Sequence, residues 1–285
     1  MIIKCNIGCR IGGNIVKKIM PNDKCPCMSG KKYKFCCFKR QEFLKEIKSI
    51  TGGDYIDTNY ILSNVTQNSV LLKDYLDKVL PLINMSIVFA VNKNLDANMR
   101  SIGSNDKTVG VIVIKEAPIK QKDYFDLAHE FGHLLTAKKE YPIALVKGAP
   151  IAIGTVFTNT IMDPMINREL YNFGFDFISY LEKGFSIQIP LLKNYPEEQN
   201  LDLLQRHFIK CLIIEKELEW DIINENILEN KFKTVYHDKY PVAYKEALEF
   251  VSYVKEKGID SPEKVRSLLI KLRADNKMEQ YIEIL

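Results

Sequence analysis

The sequence predicts an α+β protein: a small sheet among helices, followed by a mostly helical C-terminal region. Two stretches carry the sheet. Residues 85–91 (MSIVFAV) and 108–115 (TVGVIVIK) are rich in β-branched residues and bounded by Asn, Asp and Gly clusters. The helical part follows from apolar residues recurring at helical spacing, and from residue 201 onward every predicted element is a helix.

Taken in order, residues 41–50 place Phe43, Leu44 and Ile47 on one helical face, and Thr51-Gly52-Gly53-Asp54 makes a break. A second helix is expected over 69–83, with Leu71, Leu72, Tyr75, Leu76 and Val79 in register. After the two strands comes a helix over 122–138. Asp163-Pro164 then opens another, reaching residue 181, since Asp caps well and Pro suits a first turn. The last helices are expected over 201–229, 242–257 and 262–283, the final one starting at Ser261-Pro262-Glu263. Residues 1–21 show no clear period.

The chain has 285 residues, 46% apolar and 27% charged, an ordinary balance for one core domain with an appendage. No apolar run approaches the roughly 18–20 residues that a spanning helix needs, so no membrane partner is expected. The start, Met1-Ile2-Ile3-Lys4-Cys5, lacks the pattern of a secretion signal, and a cytoplasmic location is the expectation. Charge is unevenly spread. Residues 1–40 hold ten Lys or Arg against the single acid Asp23, whereas the rest holds 30 basic and 35 acidic residues. A basic head of this kind suits contact with phosphate backbones or acidic protein surfaces, and equally a solvated surface around a small metal site.

Four of the seven cysteines crowd together: Cys25-Pro26-Cys27, then Cys36-Cys37. Four thiolates make the closed tetrahedral shell that structural zinc prefers. Cys5, Cys9 and Cys211 are scattered, and an odd total argues against a disulfide framework. So short a peptide cannot bury much apolar surface, and metal binding would supply much of its folding free energy. The segment closely resembles the SEC-C zinc-binding motif over about sixteen residues from Asn22, with Met28 where that family usually has Gly. The resemblance implies one structural zinc on Cys25, Cys27, Cys36 and Cys37, in a module that docks protein partners or ribosome-associated surfaces.

The second motif is His129-Glu130-Phe131-Gly132-His133. Histidines four apart lie one above the other on a helix and can share a metal, with the intervening Glu beside the site as a general base. On a helical wheel Tyr124, Leu127, Ala128, Phe131, Leu134 and Leu135 form an apolar stripe, and both histidines fall nearly opposite it. A hydrolytic zinc site needs a third protein ligand and an open position for water. Glu169 and Asp163 are the alternatives, with Glu169 preferred and Asp163 otherwise an N-cap; Glu140, His207 and His237 are outsiders. A transition-state oxyanion could be met by Tyr141, Tyr171, His207 or His237, and the sequence does not choose. The series Tyr171, Phe173, Phe175, Phe177 and Tyr180, like Trp220, reads as packing.

From Val111 through Leu135, the strand and its following motif resemble the ImmA/IrrE-like metallopeptidases over roughly residues 85–180. The sequence after Glu169, Leu-Tyr-Asn-Phe-Gly, departs from that family's usual pattern. The resemblance implies a zincin-like core that cleaves partner proteins, with Glu130 catalytic and a second, catalytic zinc. The expected order is an unassigned 1–21, the zinc module at 22–40, a helical connector at 41–83, the core at 84–190 and helices at 191–285. The expected activity is zinc-dependent peptide-bond hydrolysis in a docked protein partner. The alternatives are a non-catalytic zinc-binding regulatory protein and a nucleic-acid-associated factor working through the basic head.

Overall fold

The computed structural model describes residues 19–95, 97–103, 108–148, 151–223 and 226–285. Cys5 and Cys9, with most of the 1–21 segment, lie outside them. The protein is a mixed α+β molecule, mostly helical, with a small sheet. No helix among the described residues is long and apolar enough to cross a membrane.

Helix α1 (Gln41–Thr51) ends where Gly52 turns left-handed at φ 65°, and the short strand β1 (Asp54–Ile56) follows. Helix α2 (Thr58–Asn68), which the sequence pattern did not reveal, starts where the Asp57 carboxylate accepts from the Tyr60 amide at 3.1 Å. Helix α3 (Val70–Ile83) leads into β2 (Ser86–Val91), β3 (Met99–Gly103) and β4 (Val109–Ile114). The sheet order is β1-β2-β4-β3, with β2 and β4 parallel and each edge strand antiparallel to its neighbour.

Alternation along β2 and β4 sends side chains to two covered faces. Phe89, Ile112 and Ile114 join the main core, whereas Val88, Ala90, Val111 and Val113 pack with Ile47 of α1 and Leu95. Against the first face lies helix α4 (Tyr124–Lys138), which carries the two histidines. Phe131 meets Phe89 edge-to-face at 6.4 Å between centroids, and the Tyr75 hydroxyl of α3 donates to the Ala128 carbonyl at 3.2 Å.

Helix α5 (Ile151–Phe173) crosses α4 on another side. It does not begin at Asp163. Asp163 and Pro164 lie inside it, because the buried Phe157, Ile161, Met162, Ile166 and Leu170 tie both halves to one core. The missing Pro164 amide is tolerated there, against its usual cost. The chain turns at Gly174 (φ 108°), and Asp176 caps helix α6 (Phe177–Lys193) by accepting from the Ser179 amide. The single helix expected to reach residue 181 is therefore two.

Close approach of α4 and α5 depends on Gly132. A Cβ there would lie 2.5 Å from Cγ2 of Ile166, a β-branched and fully packed neighbour. Gly132→Ala should cost about 1–3 kcal/mol by overpacking, even though Ala is the better helix former by roughly 1 kcal/mol. Urea denaturation checks this, and a variant as stable as the parent would contradict the packing described.

Beyond residue 200 lie helices α7 (Leu203–Ile223), α8 (Asn226–Lys239), α9 (Pro241–Lys257) and α10 (Pro262–Asp275). The expected helix over 201–229 is thus α7 with part of α8. The last helix stops short of 283: Lys277 takes φ 55°, and residues Ile282–Ile284 form β6, paired with β5 (Ala144–Val146). One apolar cluster runs from Ile56 to Ile282, so these helices share the core with α4.

Candidate metal centres

The four clustered cysteines converge. Their ligand atoms all lie within 4.8 Å of one another, with Cys27 Sγ 3.3 Å from Cys25 Sγ and 3.5 Å from Cys36 Sγ. Tetrahedral Zn–S bonds of about 2.3 Å put sulfurs roughly 3.8 Å apart, so the cage suits zinc. A tight loop builds it: the Cys25 amide donates to the Lys31 carbonyl at 2.8 Å, and Met28 sits left-handed at φ 66°. That backbone favours Gly. Burial and the neighbouring thiols push Cys27 and Cys37 up, while hydrogen bonds from Cys27 and Cys37 outweigh burial and hold Cys25 down to about 7. A divalent cation would relieve this mutual repulsion of buried sulfurs. The module is not a loose head: the Asp57 amide donates to the Cys27 carbonyl at 2.7 Å, and Tyr55 and Leu44 pack against the cysteines.

The second centre joins α4 to α5. His129 Nε2 and His133 Nε2 face each other at 3.0 Å. Asp163 Oδ1 is fully buried, makes no hydrogen bond among the described residues, and faces those nitrogens at 3.6 Å and 3.2 Å. These donor atoms form the other group able to hold a metal among the described residues. Zinc–nitrogen bonds of about 2.0–2.1 Å in a tetrahedron separate ligand atoms by roughly 3.3 Å, close to the observed spacing.

Glu169 is not in this group and lies exposed. Because α5 runs through Asp163 without a break, six residues of helix carry Glu169 about 120° round the axis from it. Asn167, four residues on, stays on the same face, and its Oδ1 lies 2.8 Å from His129 Nδ1. Nor do the histidines sit on an exposed flank. His129 is only 7% exposed, because α4 is enclosed on nearly every side.

Glu130 lines the same cavity, of about 1180 Å³, and its Oε2 accepts from the Ser101 amide at 2.6 Å. Ser101 belongs to β3, the edge strand among the described residues, and its bond to Glu130 shows that its amide faces the cavity. Of the tyrosines and histidines considered for an oxyanion, Tyr141 lines the cavity, and Tyr180 joins it from the aromatic series. Tyr180 stacks on Phe125 at 4.3 Å, and burial drives its phenol well above 10. His207 is buried beside Cys211 and pushed down to about 4 by burial, and His237 is exposed. Trp220 stacks on Phe185 at 5.1 Å, as packing. Residues that the sequence did not single out complete the wall: Glu215 and Lys216 of α7, and Lys183 of α6, which lies 3.5 Å from Asp126.

Burial opposes a proton on His129, but the Asp163 carboxylate outweighs it and pushes the imidazole up to about 9. Burial likewise opposes charge on Asp163, yet the two histidines hold it well below the carboxylate range. A metal and this proton compete for one position. For the metal-free protein the sign follows from a raised folded pKa: the stabilisation is complete below about pH 6.5 and is lost as pH rises through about 9. Chelator-treated protein should therefore melt at a lower temperature at pH 9.5 than at pH 6.5. Zinc affinity should move the other way, rising with pH. An Asp163→Asn variant should lose most of both trends, and unchanged trends would contradict this account.

Fold and site together define a mixed α+β, mostly helical protein with two groups of side chains able to hold a metal ion. No protein-family model matches the chain, and no curated protein or solved structure matches it.

Proposed function

We propose that this protein is a zinc-dependent metallopeptidase with a zincin-like core, cleaving a peptide bond in a protein partner. The observation that carries the reading is the convergence of His129, His133 and Asp163 in a cavity that also holds Glu130. These three residues would hold the ion, leaving room for water and a substrate carbonyl. Zinc bound there would supply Lewis acidity, easing ionisation of a water and polarising the carbonyl. Glu130 accepts the proton of the attacking water and delivers it to the leaving amine. The Ser101 amide orients that carboxylate from the edge strand.

The cavity suits an extended peptide. Strand β3, the edge of the sheet among the described residues, borders it, and beyond the Ser101 amide that Glu130 takes a substrate strand can add main-chain hydrogen bonds. Exposed Ile50, Ile143, Leu145 and Ile187 ring it, favouring apolar side chains in the substrate. The cysteine module, with structural zinc, presents exposed Phe35 and Phe38 among Lys31, Lys32, Lys39 and Arg40, a face suited to an acidic partner. Zinc-loaded protein incubated with a proteome-derived peptide library, read by mass spectrometry, should give new termini flanked by apolar residues. A zinc chelator should abolish them. Failure of fully loaded protein to cut any peptide or protein would overturn the reading.

A further inference from the structure

A chain of buried polar groups runs from the metal-binding face of α4 through α5 into α7. His129 Nδ1 meets Asn167 Oδ1 at 2.8 Å, and Asn167 Nδ2 donates to Glu219 Oε1 at 2.7 Å. Lys216 Nζ donates to Glu219 Oε2 and to Glu215 Oε1, each at 2.6 Å. Asn167 and Glu219 are each 1% exposed. Glu219 lies between the buried Leu218 and Trp220, where an apolar residue would carry no desolvation cost.

We infer that Asn167 and Glu219 are positioning residues that fix which nitrogen of His129 is offered to the metal. The inference rests on the metal site proposed above. A side-chain amide can turn either way, and here its neighbours decide. The Glu219 carboxylate, paired with Lys216, only accepts, so the Asn167 amino group must face it. The amide oxygen is thereby turned to His129, and an oxygen there requires a proton on Nδ1. The neutral imidazole then carries its lone pair on Nε2, the nitrogen directed at His133 and Asp163. Helix α7 thus sets the ligand geometry without touching the metal, as outer partners of metal-bound histidines do.

The test uses full-length protein labelled with ¹⁵N-histidine, with and without zinc. In the metal-free parent, Nδ1 of His129 should carry a proton whether or not Nε2 is also protonated. In Glu219→Gln, the new amide keeps its oxygen on Lys216 and turns its amino group to Asn167. Asn167 then flips and offers an amino group to His129, whose Nδ1 should lose its proton. Zinc affinity at this site should fall about 10–100-fold, while the cysteine-bound zinc is retained and reports that the variant folds. Combining Asn167→Asp with Glu219→Gln restores an acceptor facing His129 and a donor facing that acceptor. The pair should recover affinity to within a few-fold and the Nδ1 proton with it.

An unprotonated Nδ1 in the metal-free parent would overturn the inference even if no variant folded. So would parental affinity in Glu219→Gln, or a loss that the paired change does not rescue. Because the Nδ1 signal is read without metal, it can fail while the metallopeptidase reading stands. It can also hold when no peptide is cut.

Discussion

Glu130→Gln should lower peptide hydrolysis by about 10²–10⁴-fold, the usual contribution of a positioned general base, and leave both zinc ions bound. The substitution is nearly isosteric. A glutamine oxygen can still accept from the Ser101 amide, which Glu130 Oε2 meets at 2.6 Å, so the side chain should keep its place. What it loses is the ability to take a proton from water and return it to the leaving nitrogen. The residue is not among the groups that would hold the metal, so affinity should barely change. Single-turnover cleavage of a substrate found in the peptide screen, alongside zinc content per chain, separates the two effects. Undiminished cleavage by Glu130→Gln would remove the residue from the reaction. Loss of one zinc along with activity would mean that it holds the site together instead.

The second large effect is expected at Asp163. Asp163→Ala should lower zinc affinity at the histidine site by more than the roughly 100-fold that marks the upper range for outer partners. Glu169→Ala should change it little, because Glu169 is exposed and outside the converging group. Asp163 is also the buried counter-charge to two imidazoles. Its removal takes away the main cause of the raised His129 pKa, so the imidazole of the metal-free variant should give up its second, charging proton at a lower pH than in the parent. Competition with a chromogenic zinc chelator measures the affinities. Parental affinity in Asp163→Ala together with loss in Glu169→Ala would reverse the ligand assignment.

The histidine pair was legible because a helical period fixes the relation of residues four apart whatever surrounds them. So were the two central strands, whose β-branched residues serve two covered faces, and the cysteine cage, whose four thiols are close in sequence. Which carboxylate joins the histidines turned on where one helix begins. Asp163-Pro164 has the local chemistry of a helix start, but apolar residues on both sides hold α5 continuous through it, and continuity turns Glu169 away. Placing the histidines opposite an apolar stripe assumed one buried face, whereas α4 is buried nearly all round.

Strand β3 left no signal, since Met99, Arg100, Ser101, Ile102 and Gly103 show no clean alternation and depend on pairing with β4. Glu219 was the least legible. Nothing in its own helix marks it; only the packing of α5 on α7 brings it to Asn167 and so to His129.

Anomalous diffraction at the zinc edge, on crystals of protein purified without chelator, tests the metal assignment most directly. Two peaks are predicted per chain: one among the sulfurs of Cys25, Cys27, Cys36 and Cys37, the other bonded to His129 Nε2, His133 Nε2 and the Asp163 carboxylate. A single peak at the cysteines that persists after soaking in zinc, with the imidazoles bonded only to protein, would contradict the account.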